Sequence, residues 1–224
     1  MRGGFSNPGW GYDTGMAGSE AFEDIGATMK KAAAALRDAG IDFALAGSLA
    51  TWARGGPETS HDLDFVVREE EAEKAIEALE QAGLRREEAP EEWLVKAWDE
   101  NRVLVDVIFG PSGLDARDAL ERAEVLNVLS MELPVMALED VVVTKLLSLT
   151  EHSLDYSKPL EMARALREQI DWQAVRRRTS GSPFADAYFV LLDRLGVVPE
   201  APGSQPRRRV QVEVSGTPEP RAQR

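Results

Sequence analysis

The sequence predicts an α+β fold, in which a small mixed or antiparallel sheet with flanking helices is followed by a helical C-terminal subdomain. Short apolar runs typical of strands alternate with helical spacing as far as residue 136. Beyond that residue only helical spacing continues, to about residue 198. Hydrophobic residues make up 43% of the 224 residues and are spread along the chain, which is enough for one sizeable core.

Composition divides the chain into four segments. Residues 1–18 are rich in Gly, Ser and Asn without an apolar period, which predicts a flexible N-terminal arm. Residues 19–136 form the predicted α+β domain, and residues 137–198 form the helical subdomain. Residues 199–224 carry Pro, Gly, Arg and Gln with few apolar side chains, so we expect a disordered tail there.

The elements follow from apolar spacing and from the residues that interrupt it. Apolar residues from Phe22 to Leu36 recur at helical spacing, and Gly40 is typical of the cap that ends such a helix. Next we expect, in order, a strand at 41–46, a short helix at 49–53, a strand at 63–67 and a helix at 70–82. Residues 93–98 and 103–109 are typical of an antiparallel hairpin, and 125–129 and 133–136 add short extended pieces. The predicted helices of the second half are 138–149, 159–166, 172–178 and 183–195.

Composition and charge exclude several classes of protein. There are 39 acidic and 26 basic residues, and the net charge of -13 argues against binding duplex DNA. No run approaches the roughly 18 apolar residues of a membrane span, and the start lacks a signal-peptide pattern, so we expect a cytoplasmic protein. The absence of cysteine and the presence of only two histidines leave hard, oxygen-bound cations as the metals to consider.

Three aspartates stand out as candidate site residues. Asp62 and Asp64 are two apart on a predicted strand, so their side chains share one face, and their mutual repulsion is most readily tolerated beside a divalent cation. Asp106 interrupts the apolar strand at 103–109, where an unpaired buried charge is costly. A metal shared by the three carboxylates would offset both costs, and Mg²⁺ is the hard cation that this set suggests.

Two further features suggest a site for phosphate. Gly47 and Ser48 lie between a strand and a helix start, where backbone N–H groups and a hydroxyl can meet an anion, although a serine there is often only a helix cap. Lys145 falls within the apolar stripe of the helix at 138–149, so it must either extend to solvent or meet an anion, and we favour the anion. Together with the aspartates, these residues predict a triphosphate site.

This pattern resembles the polymerase-beta-type nucleotidyltransferase superfamily. The likeness rests on Gly47-Ser48, then, after thirteen intervening residues, the Asp62-Leu63-Asp64 motif, and later Asp106. The segment 138–146 is similar to the lysine-bearing helix of the AbiE-type nucleotidyltransferase toxins and their bacterial relatives. Those toxins usually carry an arginine one to two turns after the lysine and an aspartate soon after it, whereas residues 151–155 read Glu-His-Ser-Leu-Asp, so the resemblance implies the shared chemistry rather than the toxin subtype.

The resemblance implies a nucleotidyltransferase fold and the transfer of a nucleoside monophosphate from a nucleoside triphosphate to an acceptor hydroxyl, with release of pyrophosphate. Asp62, Asp64 and Asp106 would be the catalytic residues and would hold two Mg²⁺ ions. Gly47, Ser48 and Lys145 would bind the nucleotide. The acceptor, whether a small molecule, tRNA or a protein, and any protein partner stay open, as does the alternative of a non-catalytic nucleotide-binding or regulatory module.

Other conspicuous side chains receive structural interpretations. We expect His61 and His152 to be surface residues, because neither has a second imidazole nearby in the sequence. Trp52 and Trp98 could stack on a base, but core packing is the more common role. The run 176–178 is three arginines and is typical of a solvated helix end, with contact to an anionic acceptor as the less frequent alternative.

Overall fold

The computed structural model describes residues 14–57 and 62–198. It contains eight α-helices and seven strands within these ranges, and a single turn of 3-10 helix at Glu69–Glu71. The helices are α1 (Thr14–Asp38), α2 (Gly47–Trp52), α3 (Ala72–Gln81), α4 (Ala116–Glu121), α5 (Leu138–Leu147), α6 (Ser157–Leu166), α7 (Trp172–Arg178) and α8 (Pro183–Leu195). The strands are β1 (Phe43–Leu45), β2 (Asp62–Val67), β3 (Arg85–Glu87), β4 (Leu94–Trp98), β5 (Leu104–Ile108), β6 (Glu124–Val128) and β7 (Met131–Val135).

The seven strands form one mixed sheet in the order β3-β4-β5-β2-β1-β7-β6. Strands β2 and β5 are parallel, as are β1 and β7, and the other neighbours are antiparallel. The predicted fold class is therefore confirmed, including the hairpin of β4 and β5. The helices α5 to α8 follow the last strand and form the helical part.

Side-chain alternation gives the central strands two different faces. On β2 the side chains of Leu63, Phe65 and Val67 are fully buried, whereas Asp62 is exposed and Asp64 is half-buried. On β5 the same alternation buries Val105 and Val107. One face of the sheet thus forms the core, while the other carries the aspartates.

The structure differs from the sequence prediction at several elements. Helix α1 begins at Thr14, so residues 14–18, expected in the flexible arm, are helical, although Gly15 and Gly18 weaken the helical pattern there. Helix α4 was not expected, because six residues are too few to show a helical period, and Asp115 caps it by accepting from the N–H of Arg117. All three residues of the edge strand β3 are exposed and charged, which left no strand pattern to recognise. The rest of the arm and the tail beyond residue 198 lie outside the described residues.

A buried carboxylate joins the sheet domain to the helical part. Asp140 on α5 has no exposed surface, and its two oxygens accept hydrogen bonds from Arg122 at the end of α4, at 3.0 Å, and from Arg178 at the end of α7. Two guanidinium groups therefore compensate one buried negative charge. Arg178 thus makes a structural contact. Arg176 lies over the ring of Phe189, 4.1 Å from the ring centroid. Both belong to the arginine run that was expected to be a solvated helix end.

No helix in the described ranges has both the length and the apolar character that crossing a membrane requires.

The Asp140 contacts lead to a stability prediction. Asp140→Ala removes the shared anion of two guanidinium groups that are partly exposed, so we expect the free energy of unfolding to fall by about 1–3 kcal/mol, measured by urea denaturation. Glu73→Ala removes an exposed ion pair with Arg86 and serves as the control, which we expect to change the unfolding midpoint little. Equal effects of the two substitutions would contradict the structural role of Asp140.

Candidate active site

The two central parallel strands place two of the predicted aspartates side by side. Asp64 on β2 and Asp106 on β5 are direct partners in the register, and Asp62 is opposite Leu104. Because side chains at paired positions point to the same face, the carboxylates of Asp64 and Asp106 lie next to each other. Asp62 shares this face at the exposed start of β2.

Gly47 brings the backbone of the β1–α2 turn against Asp64. The N–H of Ala46 donates to the carbonyl of Asp64 at 2.8 Å, which fixes the two segments together. Gly47 has a φ of +57°, and a Cβ placed on it would lie 1.7 Å from Oδ2 of Asp64. Only glycine suits this position, both for its left-handed backbone and for the space that the carboxylate occupies.

The environment of Asp64 combines opposing electrostatic effects. Burial raises the pKa of this carboxyl above its usual value, and the charge of Asp62 adds to the rise. Lys145 opposes the rise by attraction, and the backbone N–H of Ser48 does so by a hydrogen bond to the carboxylate. This Ser48 amide, which the sequence analysis assigns to a phosphate, is thus engaged by Asp64 in the structure.

Asp106 has the second perturbed carboxyl at this face. Burial, and then repulsion from Asp64, raises the pKa of Asp106 to about 7, while Lys96 on β4 opposes the rise. Lys96 is the antiparallel partner of Asp106 and lies 3.6 Å from the carboxylate of Glu91. Oδ1 of Asp106 is buried without a hydrogen-bond partner among the described residues. A buried oxygen in this state is available to a ligand or to a proton.

The carboxylate oxygens are suitable donors for a hard cation, but they are not arranged as a complete metal site. Within residues 14–57 and 62–198, no three His, Cys, Asp or Glu side chains come together closely enough to hold a metal ion. Asp64 and Asp106 are neighbours, however, and the unpartnered Oδ1 of Asp106 and the mutual repulsion of the pair are features that a divalent cation would relieve. The donor set therefore suits Mg²⁺.

A cavity of about 170 Å³ opens beside Asp64, between the sheet and helix α5. Its polar end is lined by Gly47, Asp64 and Lys145. Lys145 is half-buried on α5, so the helical part supplies a cation to the carboxylate face of the sheet. The charge of Lys145 acts on Asp64 and lowers the pKa of this carboxyl, and the binding of a phosphate by Lys145 stays a prediction.

Several residues that line the cavity or lie near Asp106 were not predicted from the sequence. Trp93 and Ser112 line the cavity, and Lys96 and Glu91 influence Asp106. The hairpin register was the one signal that could have identified Lys96, because it places this residue opposite Asp106. Trp93 stands just before β4, where the sequence pattern marks only the start of a strand.

The tryptophans and the histidine that the structure describes lie where the structural interpretations placed them, in packing or at the surface. Trp52 packs on Phe22, with ring centroids 4.8 Å apart, and Trp98 is half-buried at the end of β4. His152 is exposed beside Glu151, as expected. His61 lies outside the described residues.

Comparison with solved structures shows which fold this is. The chain is similar to ANT(2'')-Ia in complex with adenylyl-2''-tobramycin, with a TM-score of 0.58 and 15% identity over 74% of this chain and 99% of that one. The solution structure of the antibiotic-resistance factor ANT(2'')-Ia matches with a TM-score of 0.56 and 15% identity, over 78% and 98% of the two chains. The lincomycin-bound lincosamide antibiotic adenylyltransferase LnuA matches with a TM-score of 0.36 and 13% identity, over 66% and 93%. No protein-family model and no curated protein sequence matches the chain.

The matches to ANT(2'')-Ia show that the chain has a nucleotidyltransferase fold. The fold expected from the resemblance is therefore confirmed. At 15% identity these matches concern the fold alone, and the activity is argued from the site.

The contact between Gly47 and Asp64 leads to a prediction with a matched control. Gly47→Ala places a methyl group on the Asp64 carboxylate, so we expect both a loss of stability and displacement of Asp64. Gly40→Ala is the control, because Gly40 has a similar φ of +65° but nothing within 4 Å of an added Cβ. The control should lose only the left-handed strain, about 1–2 kcal/mol, in urea denaturation. Equal losses in the two variants would show that the close contact is unimportant.

The pKa of Asp106 leads to a prediction about pH. A carboxyl whose pKa rises from 3.8 to about 7 on folding holds its proton more tightly in the folded state. In metal-free buffer the wild type should therefore lose stability as pH rises from 4 to 7. Asp106→Asn removes the share of this loss that is due to Asp106 and keeps the share due to Asp64, whose pKa is also raised. We expect the variant to gain about 1–2 kcal/mol relative to the wild type across this range, after allowing for solvent screening. Urea denaturation at several pH values measures it, and a pH-independent difference would contradict it.

Proposed function

We propose that the protein is a Mg²⁺-dependent nucleotidyltransferase that moves a nucleoside monophosphate from a nucleoside triphosphate to an acceptor hydroxyl. One observation carries the proposal, namely that paired carboxylates on β2 and β5 lie beside a cavity whose other wall supplies Lys145. The phosphates can bind in such a site only where cations balance their negative charge. Lys145 provides one positive charge directly, and the carboxylates would hold Mg²⁺, which provides the rest.

Asp106 is suited to remove the proton of the acceptor hydroxyl. Oδ1 of Asp106 is buried without a hydrogen-bond partner among the described residues, so it can accept that proton. The acceptor oxygen then forms a bond to the α-phosphorus, the bond from this phosphorus to the bridging oxygen breaks, and pyrophosphate leaves with the electron pair. Magnesium ions held by Asp62, Asp64 and Asp106 would supply neutralisation of the phosphate charge.

Lys145 and the β1–α2 turn are placed to bind the phosphates that leave. Lys145 contributes a fixed positive charge at the polar end of the cavity, where Gly47 presents backbone without a side chain. A cation held by α5 before the reaction costs no reorganisation when charge develops on pyrophosphate. Gly47, Ser48 and Lys145 are therefore the proposed nucleotide-binding residues.

The comparisons favour a small molecule as the acceptor. One structure similar to this chain is a complex with adenylyl-2''-tobramycin, which is an adenylylated small molecule. The net charge of -13 also favours an acceptor without a phosphate backbone. Transfer to tRNA or to protein, as the AbiE-type resemblance suggests, is the alternative acceptor class, and nucleotide binding without transfer is the non-catalytic alternative.

A transfer assay tests the function and the acceptor class together. The protein is incubated with each α-labelled nucleoside triphosphate, Mg²⁺ and a cell lysate, and the label is then followed into small molecules, RNA and protein. We expect the label in the small-molecule fraction, and no transfer by Asp64→Asn or Asp106→Ala. Binding of nucleotide without transfer to any fraction would instead support the non-catalytic module.

The proposed role of Lys145 leads to a separate prediction. Lys145→Met keeps most of the apolar stem, so we expect a folded protein in which nucleotide affinity or turnover falls by roughly tenfold or more. Lys158→Met is a control, because this lysine is exposed on α6 and pairs with Glu161. Nucleotide binding and transfer at wild-type levels in Lys145→Met would show that Lys145 has only a packing role.

A further inference from the structure

The cavity beside Asp64 changes character along its length. Val66 and Ile108 follow Asp64 and Asp106 on the same face, two residues further along β2 and β5, and the two are direct register partners. Two residues along a strand cover about 6.6 Å, so an apolar floor begins one such step from the carboxylates. Trp93 also lines the cavity and lies at this apolar end, because it directly precedes Leu94, the register partner of Ile108.

Trp93 is held at the rim of the cavity although its side chain is poorly buried. It is 44% exposed, an unusual state for a large aromatic side chain. Its carbonyl accepts hydrogen bonds from the N–H groups of Phe109 and Gly110, at 3.0 and 3.1 Å. Gly110 permits this approach, since a Cβ there would lie 2.9 Å from the Cβ of Trp93. The backbone therefore fixes Trp93 while leaving its ring available.

The cavity can bind either the acceptor or the nucleotide, depending on which side of the reacting phosphorus it lies. In an in-line displacement the acceptor and the leaving pyrophosphate approach the phosphorus from opposite sides. The cavity is lined by Gly47 and Lys145, the proposed partners of the leaving phosphates, and by Asp64. The lining by Gly47 and Lys145 therefore assigns the cavity to the nucleotide.

We propose that Trp93 stacks on the base of the nucleoside triphosphate over the apolar floor formed by Val66 and Ile108. This inference rests on the proposed nucleotidyl transfer, and it assigns the apolar end of the cavity to a ligand group that the phosphate site does not explain. Every nucleobase has a flat aromatic face, so stacking on Trp93 provides affinity with little discrimination between bases.

The experiment compares nucleotides with a ligand that lacks a base. The full-length protein with Mg²⁺ is titrated calorimetrically with ATP, GTP, CTP and UTP in turn, and with inorganic tripolyphosphate. Trp93→Ala and Trp93→Leu remove the ring, and Trp93→Phe keeps an aromatic face. Trp172→Phe is the matched control, because Trp172 lies on α7 and packs against Phe189 away from the cavity.

We expect Trp93→Ala and Trp93→Leu to weaken nucleoside triphosphate binding by about 5- to 150-fold, the range for loss of one stacked base. Tripolyphosphate affinity should be unchanged in both variants, and Trp93→Phe and Trp172→Phe should retain most of the nucleotide affinity. Unchanged nucleotide affinity without the ring, or an equal loss for nucleotides and tripolyphosphate, would overturn the stacking role. A wild-type protein that binds neither tripolyphosphate nor any nucleotide would contradict the proposed function itself, and with it the role of Trp93.

Discussion

The contact between the Gly47 backbone and the Asp64 carboxylate determines the geometry of the candidate site. It requires a left-handed residue without a side chain immediately after β1, and the hydrogen bond from Ala46 to the Asp64 carbonyl holds the turn against β2. The amide of Ser48 then reaches the same carboxylate. One aspartate thereby positions the β1–α2 turn, which in turn borders the cavity where the phosphates are proposed to bind.

The like charges at this face lower the stability of the protein without a ligand, and they favour the binding of a positively charged ligand. Asp64 and Asp106 are neighbours across two parallel strands, and burial raises the pKa of both carboxyls. Repulsion from Asp64 adds to the rise for Asp106, and repulsion from Asp62 adds to the rise for Asp64. An arrangement that destabilises the free protein is stabilised by whatever binds there with opposite charge. Lys145 and Lys96 offset part of the repulsion, so the site is poised between a bound proton and a bound cation.

The helical part contributes to the site because a second buried carboxylate fixes its position. Asp140 and Lys145 are both on α5, and Asp140 binds Arg122 from the sheet domain and Arg178 from α7. A rotation or shift of α5 would break these bonds and also carry Lys145 away from Asp64. The two ends of the helix thus serve different purposes, one anchoring it and the other facing the cavity.

The sequence by itself determined the order of most elements, because periods of 2 and 3.6 residues distinguish strands from helices over short windows. It also determined that Asp62 and Asp64 share a face, since that relation is local to one strand. It did not reveal the exposed strand β3 or the six-residue α4, whose patterns are too short or too polar. Only the tertiary structure decided that Asp106 is the register partner of Asp64, that Lys96 lies opposite it, and that Trp93 stands at the rim of the cavity. These neighbours are brought together by strand pairing and backbone contacts between distant segments, and no local period encodes them.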